Sequence, residues 1–452
     1  MPLSKPWAAT IVGASILACS GPARAEDPLL EQLVAEALEH NPELAAARQS
    51  LTAAEARPAQ AGSLAPPTLS VNYQNDGVAP SLGTRDMTML AFGASQELPA
   101  PGKRDLRRQV AQAEAGLIGL DVERTRLSLV ASVKQSYYGL RVARGLAALA
   151  EDQGNVWREV QETARVRYAS AAGPQQDLLR AQVESTRTRA LHAQHHAEAR
   201  VRLAELNRLL GRAPETPLDV PPLTALDRET RSPEALSAWA ESTSPELKMA
   251  QAAVRREELA LALANKDFKP DLAVQGAYVN RGGLDPMWQA GVSVILPARG
   301  RARAAVAEAA ARLSASKARV EDIRLRLAGA VEQRLALLQA AEQIEVTYRE
   351  GLLPQDQVAV ESALAGYRTG GVTQSGVLEP MVTLLEDRTD YLRLLGNYAA
   401  ERTRLEEVSL EPAAVEGLLM HGRSGLSGMG SSMRSASPPM TRPGSLAATE
   451  PR

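Results

Sequence analysis

The chain has 452 residues and a nearly balanced charge, with 51 Lys and Arg against 53 Asp and Glu. This balance argues against both a strongly basic nucleic-acid-binding protein and an acidic solvating protein. Aromatic residues make up only 3% of the chain, whereas hydrophobic residues make up 44% and charged residues 23%. Such a composition is unusual for a globular enzyme core and favours long helices with one apolar face.

The N-terminal residues predict export from the cytoplasm. Lys5 precedes an apolar run from Trp7 to Ala18, which is too short to cross a bilayer comfortably and is typical of a signal peptide. No later stretch approaches the roughly 18 apolar residues of a transmembrane helix. If the protein crosses a membrane, the sequence requires it to do so with β-strands.

Two processing sites for this signal remain open. Residues 23–25 (Ala-Arg-Ala) predict cleavage before Glu26, which would make residues 1–25 a signal peptide. Cys19 is the only cysteine and follows a sequence resembling a lipobox, which predicts a lipoprotein with residues 1–18 removed. A single cysteine has no partner for a disulfide within the chain.

An internal duplication organises the sequence. Short motifs of the first half return in the same order in the second half, which indicates two copies of one structural unit. Residues 41–44 return as 244–247 and 67–71 as 270–274 (offset 203), 98–102 return as 296–300 (offset 198), and Tyr168 and Leu179 return as Tyr367 and Leu378 (offset 199).

Each copy has the same predicted plan. A helix that begins at an Asn-Pro or Ser-Pro pair is followed by a strand pair, a very long helix, a glycine-containing tip and a return helix. The predicted parts are a first repeat (26–213), a Pro-rich linker (214–232), a second repeat (233–412) and a disordered tail rich in Ser, Gly, Met and Pro (413–452).

The strand pairs alternate between apolar and polar residues, most clearly in 68–75 and 287–296. An ordinary half-buried hairpin on a soluble core would give the same pattern, but dyad alternation over about 10 residues is also that of a membrane barrel strand. The scarce aromatic residues favour the membrane, because aromatic side chains anchor barrels at the interface. Those predicted to face the membrane are Tyr73, Phe92, Tyr278 and Trp288.

Four strands cannot close a barrel, since about eight is the practical minimum. An open strand edge in lipid would leave backbone groups unpaired at several kcal/mol each. A membrane-spanning form of this protein must therefore be an oligomer with a jointly built barrel.

The long helices are indicated by runs without proline, from Lys103 to about Tyr168 and from Arg301 to Leu353. The first run would be roughly 100 Å long at 1.5 Å per residue. Pro354 predicts a kink one turn before the second tip. Return helices are predicted at about 175–211 and 377–408. Without the strand pairs, a coiled-coil rod would be the simplest interpretation.

In this order and spacing, the motifs resemble the TolC-like outer-membrane efflux family over about residues 28–410. The resemblance is carried by residues 41–44, 96–104 (Gln-Glu-Leu-Pro-Ala-Pro-Gly-Lys-Arg), Arg167-Tyr168, 206–211 (Leu-Asn-Arg-Leu-Leu-Gly) and their second-copy counterparts. It implies a mainly α fold with a small β part: a long α-helical barrel in the periplasm and a transmembrane β-barrel, assembled from three subunits with two internal repeats each.

The resemblance also implies partners: a homotrimer in outer-membrane lipid that docks to a periplasmic adaptor and an inner-membrane efflux pump. The turns between long and return helices would ring the far mouth of the tube and form the adaptor-docking tips. Their residues are Gly173, Pro174, Gly370 and Gly371.

In this family, acidic residues of the second return helix constrict the periplasmic mouth. The matching positions here are Gly376 and Glu379, so only Glu379 can supply a carboxylate; Asp177 holds the corresponding place in the first copy. Alternatively, Glu379 is a helix-start residue, and Asp177 is a first-turn acid favoured by the helix dipole.

The sequence leaves two classes of cargo open. Metal cations are the first expectation, and drugs or organic solutes are the second. Residues 101–104 resemble the branch that serves heavy-metal exporters. The tail adds methionines, whose thioethers suit Cu(I), although a disordered tail with incidental methionines is the simpler interpretation. His192 and His196 are four residues apart, as metal ligands can be, yet a solvated helix face is the simpler interpretation, and the sequence predicts no definite metal site.

Motifs of catalysis are missing: the chain has no G-x-S-x-G, no P-loop, no H-E-x-x-H and no paired-cysteine metal site. The sequence therefore predicts a passive channel without cofactor, rather than an enzyme. A soluble periplasmic coiled-coil scaffold, or an adaptor protein, is the alternative.

Overall fold

The computed structural model describes residues 27–82 and 85–411. The expected signal peptide, the expected lipidation at Cys19 and the expected tail lie outside these described residues.

The described elements follow one order twice, so the predicted duplication is confirmed in the fold. The helices are α1 (Pro28–His40), α2 (Pro42–Gly62), α3 (Lys103–Ala169), α4 (Gln175–Leu209), α5 (Pro233–Thr243), α6 (Pro245–Lys266), α7 (Arg299–Thr347), α8 (Leu353–Thr369) and α9 (Gln374–Glu406). The strands are β1 (Thr68–Gln74), β2 (Met89–Leu98), β3 (Asp271–Arg281) and β4 (Leu284–Ile295). A π-helical turn, Tyr348–Leu352, joins α7 to α8.

The predicted helix starts at the Asn-Pro and Ser-Pro pairs are confirmed. The Asn41 side chain accepts hydrogen bonds from the backbone N–H groups of Glu43 and Leu44, at 2.9 and 3.2 Å. Its amide also donates to the carbonyl of Leu209 at 2.9 Å, which ties the start of α2 to the end of α4. Ser244 caps α6 in the same way through Leu247.

Two helices were not anticipated from the sequence. α1 and α5 each end at the residue that caps the following helix, Asn41 and Ser244. Because the cap residue has non-helical backbone angles, it bends the chain between two helices rather than starting the first.

The long helices agree with the proline-free runs. α3 has 67 residues, which corresponds to roughly 100 Å. Pro354 does disturb the second long helix, but it lies 16 residues before Gly370 and not one turn before the tip. Its ring clashes with the carbonyl four residues earlier and it has no N–H. The adjacent turn widens, so that the Leu353 N–H donates to the carbonyl of Tyr348.

Three apolar clusters stabilise the helices. One cluster joins α1, α2, α3 and α4 around Leu33 and Tyr137, and a second joins α5, α6, α7 and α9 around Leu338 and Tyr398. The third contains Trp157 of α3 together with residues of α4, α8 and α9, so it holds the two hairpins together near their tips. Each repeat therefore has its own core, and the hairpins share another.

The four strands form one antiparallel sheet in the order β1-β2-β3-β4. The two predicted hairpins are present, and β2 pairs with β3, so the second repeat extends the sheet of the first. This leaves β1 and β4 as edge strands within a single chain.

Candidate functional site

One face of the sheet is apolar and open. Phe92 lies opposite Val71 on one side and Tyr278 on the other, and Tyr278 lies opposite Trp288, so one row crosses all four strands. Tyr73 is two residues further along β1 on the same face. Trp288 is 80% exposed, Tyr73 50% and Phe92 49%. The structure thus brings the four aromatic residues singled out in the sequence onto one exposed face.

A buried ion pair lies where the sheet meets the helices. Lys103, the first residue of α3, is 7% exposed, and its ammonium group lies 2.9 Å from Asp267 and 3.0 Å from Asp271. The other oxygen of Asp271 accepts a hydrogen bond of 2.8 Å from the backbone of Ala100. The Pro-Gly-Lys-Arg segment of the first repeat is thereby attached to the start of β3 in the second.

The two tips are held together by side chains that the sequence did not mark as a pair. Arg167 donates to the carbonyl of Tyr367 at 3.0 Å, and its guanidinium lies 5.1 Å from the centre of the Tyr367 ring. Arg368 forms an ion pair with Glu159 of α3. Both contacts join the end of α3 to the end of α8, so they oppose separation of the hairpins.

The tip turns differ in their backbone. In the second turn Gly370 has φ +83, a left-handed conformation that glycine adopts without strain. In the first turn Ala171 takes the positive φ, and Gly173 serves close packing instead, because a Cβ there would lie 3.2 Å from Cβ of Arg167. Pro174 immediately precedes α4 and Gly371 follows Gly370, so all four residues predicted for the tips lie in the turns.

The predicted gate residues lie just behind these turns. Glu379 is exposed in the second turn of α9, and Asp177 is partly exposed in the first turn of α4. At Gly376, the other position compared for the gate, a Cβ would lie 2.7 Å from a methyl group of Val372, so a side chain there would require Val372 to move. Burial, and then the charge of Asp177, raise the pKa of Tyr367.

A pair of carboxyl groups joins α8 to α9 just after the π-helical turn. Burial, followed by a hydrogen bond with Asp356, raises the pKa of Asp387 to about 6. Beside this pair, Arg388 of α9 donates to Gln357 of α8 at 2.7 Å. Sequence reasoning missed the pair because 31 residues separate its members and no local pattern relates them.

The described residues contain no group of three or more His, Cys, Asp or Glu side chains that could hold a metal ion. The His192 and His196 rings lie 6.1 Å apart, whereas His195, between them, is 8% exposed and packs inward. Among the described helices, none is long and apolar enough to span a bilayer.

Comparisons with known proteins agree with this architecture. Residues 33–212 match the family model described as outer membrane efflux protein. The chain is 25% identical over 396 residues to the cobalt-zinc-cadmium resistance protein CzcC of Cupriavidus metallidurans, covering 86% of this chain and 91% of that protein.

Solved structures share the fold. The structure of CusC matches with a TM-score of 0.71 at 18% identity, over 85% of this chain and 92% of CusC. The outer membrane protein VceC of Vibrio cholerae matches with a TM-score of 0.69 at 18% identity, over 84% of this chain and 95% of VceC.

The exposed apolar sheet beside two very long helical hairpins is the architecture of the outer-membrane channel proteins that this chain matches. In residues 33–212 the chain is similar to the outer-membrane efflux protein family, and its fold is that of the TolC-like channels. This confirms the predicted fold class and the predicted location in the outer membrane. The proteins of this family are channels.

Proposed function

We propose that this protein is the outer-membrane duct of a tripartite efflux system, a homotrimer that passively exports what an inner-membrane pump and a periplasmic adaptor deliver. The single observation that carries the proposal is the four-stranded sheet with one exposed apolar face and two open edges. Unpaired edges are not tolerated in lipid, so β1 of one copy must pair with β4 of another. Closure by three copies gives about twelve strands, within the range of bacterial barrels.

The helical hairpins supply a second contact between copies. α4 carries exposed apolar side chains at helical spacing, and α7 and α8 carry others. These residues are Leu179, Val183 and Leu191 on α4, and Leu325 and Val358 on α7 and α8. Exposed apolar side chains on rod-like helices are typical of surfaces buried in an assembly.

The tips form the gate and the docking surface for the adaptor. The Arg167–Tyr367 and Arg368–Glu159 contacts hold the hairpins of one subunit closed, and Glu379 and Asp177 lie immediately behind them. Carboxylates contributed by three subunits at a narrow mouth attract cations and repel anions. An adaptor that pulls on the turns would first have to break the arginine contacts.

Heavy-metal cations are the proposed cargo. The support is the relative of 25% identity, whose name describes resistance to cobalt, zinc and cadmium. Drugs and organic solutes are the competing cargo class, because the folds of VceC and CusC match equally well and a fold by itself does not specify cargo.

The test is a deletion strain compared with the same strain carrying the wild-type gene. Growth is measured on cobalt, zinc and cadmium salts and on a panel of organic antimicrobials. We expect the deletion to lower tolerance to at least one metal and the gene to restore it. Unchanged metal tolerance with lost antimicrobial tolerance would overturn the metal cargo. A purified protein that is monomeric and soluble without detergent would overturn the channel itself.

A further inference from the structure

We infer that Glu97 forms a ring of three carboxylates at the periplasmic end of the membrane barrel and makes this part of the duct selective for cations. The inference rests on the proposed trimeric channel. It concerns a site at the base of the sheet, at the opposite end of the long helices from the gate at the tips.

The register of the sheet decides which way Glu97 faces. Side chains alternate along a strand, and Phe92 belongs to the apolar face, so Glu97, five residues later, belongs to the other face. Its cross-strand partner is Ala273. The same face carries small or uncharged polar side chains at the neighbouring levels: Ser70, Asn72, Ser95, Gln275, Gln289 and Ser293. In a barrel whose apolar face meets lipid, this polar face lines the water-filled interior.

Steric evidence agrees that this face is kept open. A Cβ at Gly93 would lie 2.6 Å from the hydroxyl oxygen of Ser70, and a Cβ at Gly291 would lie 3.0 Å from the amide of Gln275. Glycine at both positions leaves the polar side chains room to lie along the sheet rather than across the interior.

The charge of Glu97 is not compensated by a neighbour, whereas that of the adjacent acid is. Asp271 lies two residues before Ala273 on β3 and therefore on the same face as Glu97. Its carboxylate, however, lies 3.0 Å from the ammonium group of Lys103. Glu97 is exposed and forms no ion pair with any residue in the described parts of the chain. β1 carries no charged residue, and Arg281 of β3 and Asp285 of β4 both lie near the β3–β4 turn at the far end of the sheet. Within the four described strands, Glu97 is therefore the one carboxylate at the periplasmic end that forms no ion pair.

The effect of such a ring depends on salt. The Debye length is about 30 Å at 0.01 M salt and about 3 Å at 1 M. Three carboxylates around an aqueous pore therefore act on a passing ion at low salt and are screened at high salt. This salt dependence separates a pore charge from a change in pore shape.

The experiment measures reversal potentials of the purified full-length channel in planar bilayers under a KCl gradient. Wild type is compared with Glu97→Gln, which keeps the shape and removes the charge, and with Glu97→Asp, which keeps the charge. We expect the ratio of cation to anion permeability to fall at least about twofold in Glu97→Gln near 0.01 M salt and to be unchanged near 1 M. Glu97→Asp should behave as wild type.

Two outcomes would contradict the inference about Glu97, and only one of them would also contradict the proposed channel. If wild type conducts and Glu97→Gln keeps the wild-type permeability ratio at low salt, the inference about Glu97 is wrong while the channel remains. If neither wild type nor any variant conducts as a detergent-extracted trimer, the proposed function itself fails and takes this inference with it.

Discussion

Lys103 shows how a single side chain can connect two repeats of one chain. It opens the long helix of the first repeat, and both of its acidic partners, Asp267 and Asp271, belong to the second repeat. The residue at the equivalent place in the second repeat, Arg301, is exposed. The repeats are therefore equal in backbone plan and unequal in this contact.

This inequality gives a prediction with an internal control. Lys103→Met should destabilise the protein by about 2 kcal/mol, because it leaves partly buried carboxylates without their charged donor. Arg301→Met should change stability by less than about 0.5 kcal/mol. The temperature at which the detergent-extracted oligomer dissociates measures both. Equal effects of the two substitutions would contradict the role assigned to Lys103.

At the residue scale, the internal duplication predicted where equivalent residues lie in the fold, but not whether their side chains are buried or exposed. Tyr168 and Tyr367 occupy equivalent places before the two tips, yet Tyr168 is 46% exposed and Tyr367 is 1% exposed. The difference arises because Tyr367 packs in the cluster shared by both hairpins, under Arg167. No pattern along the chain specifies which copy faces inward.

At the scale of elements, the contact between α8 and α9 combines a π-helical turn with one carboxyl group of raised pKa, that of Asp387. The π-helical turn ends immediately before α8. Asp356 lies in the first turn of α8 and meets Asp387, which lies in the middle of α9. The neighbouring charged and titratable groups are Glu386, Arg388 and Asp390 on α9, Tyr348 on the π-helical turn and Arg349 paired with Glu345. The strength of this contact should therefore depend on pH.

The direction follows from the raised pKa of Asp387, about 6 in the folded protein. An unfolded chain has an aspartate pKa of about 4, so the folded state binds this proton more tightly. The contribution to stability is complete below about pH 4 and is lost as the pH rises through about 6. Allowing for solvent screening, we expect a loss of about 1 kcal/mol.

Asp387→Asn tests this because its side chain is neutral at every pH. The free energy of unfolding, from urea titrations of detergent-extracted protein, should fall less between pH 4.5 and pH 7.5 in Asp387→Asn than in wild type, by about 1 kcal/mol. Glu350→Gln, at an exposed position of the π-helical turn, should keep the wild-type dependence. An unchanged pH dependence in Asp387→Asn would contradict the raised pKa of Asp387.

The regular elements were predictable where one local cause dominates. The absence of proline predicted α3 and α7, and the Asn-Pro and Ser-Pro pairs predicted the starts of α2 and α6. α1 and α5 were missed because their ends coincide with caps that also start the next helix. The sequence did not predict the π-helical turn itself, because Pro354 predicts a disturbed helix but not how the neighbouring turn adjusts.

At the scale of the whole molecule, the sheet should tolerate charge on one face only. Val292→Arg places a cation on the apolar face, where a lipid-facing charge costs about 2–4 kcal/mol near the bilayer centre. Ser293→Arg places the same residue on the adjacent, polar face. We expect the first variant to reduce the amount of trimer in the outer-membrane fraction and the second to leave it near wild type. Equal assembly of both would mean that the apolar face does not meet lipid.

By itself, the sequence determined the duplication, the order of elements, the alternation of the strands and, for strands that span a membrane, the need for partner copies. These follow from covalent spacing, from the helical and strand periods and from the cost of an unpaired strand edge. Only the tertiary structure decided that β2 pairs with β3, that Lys103 bridges the repeats, that Arg167 lies on Tyr367 and that Asp387 meets Asp356. These contacts join residues far apart in the chain, and packing, which no local pattern encodes, selects them.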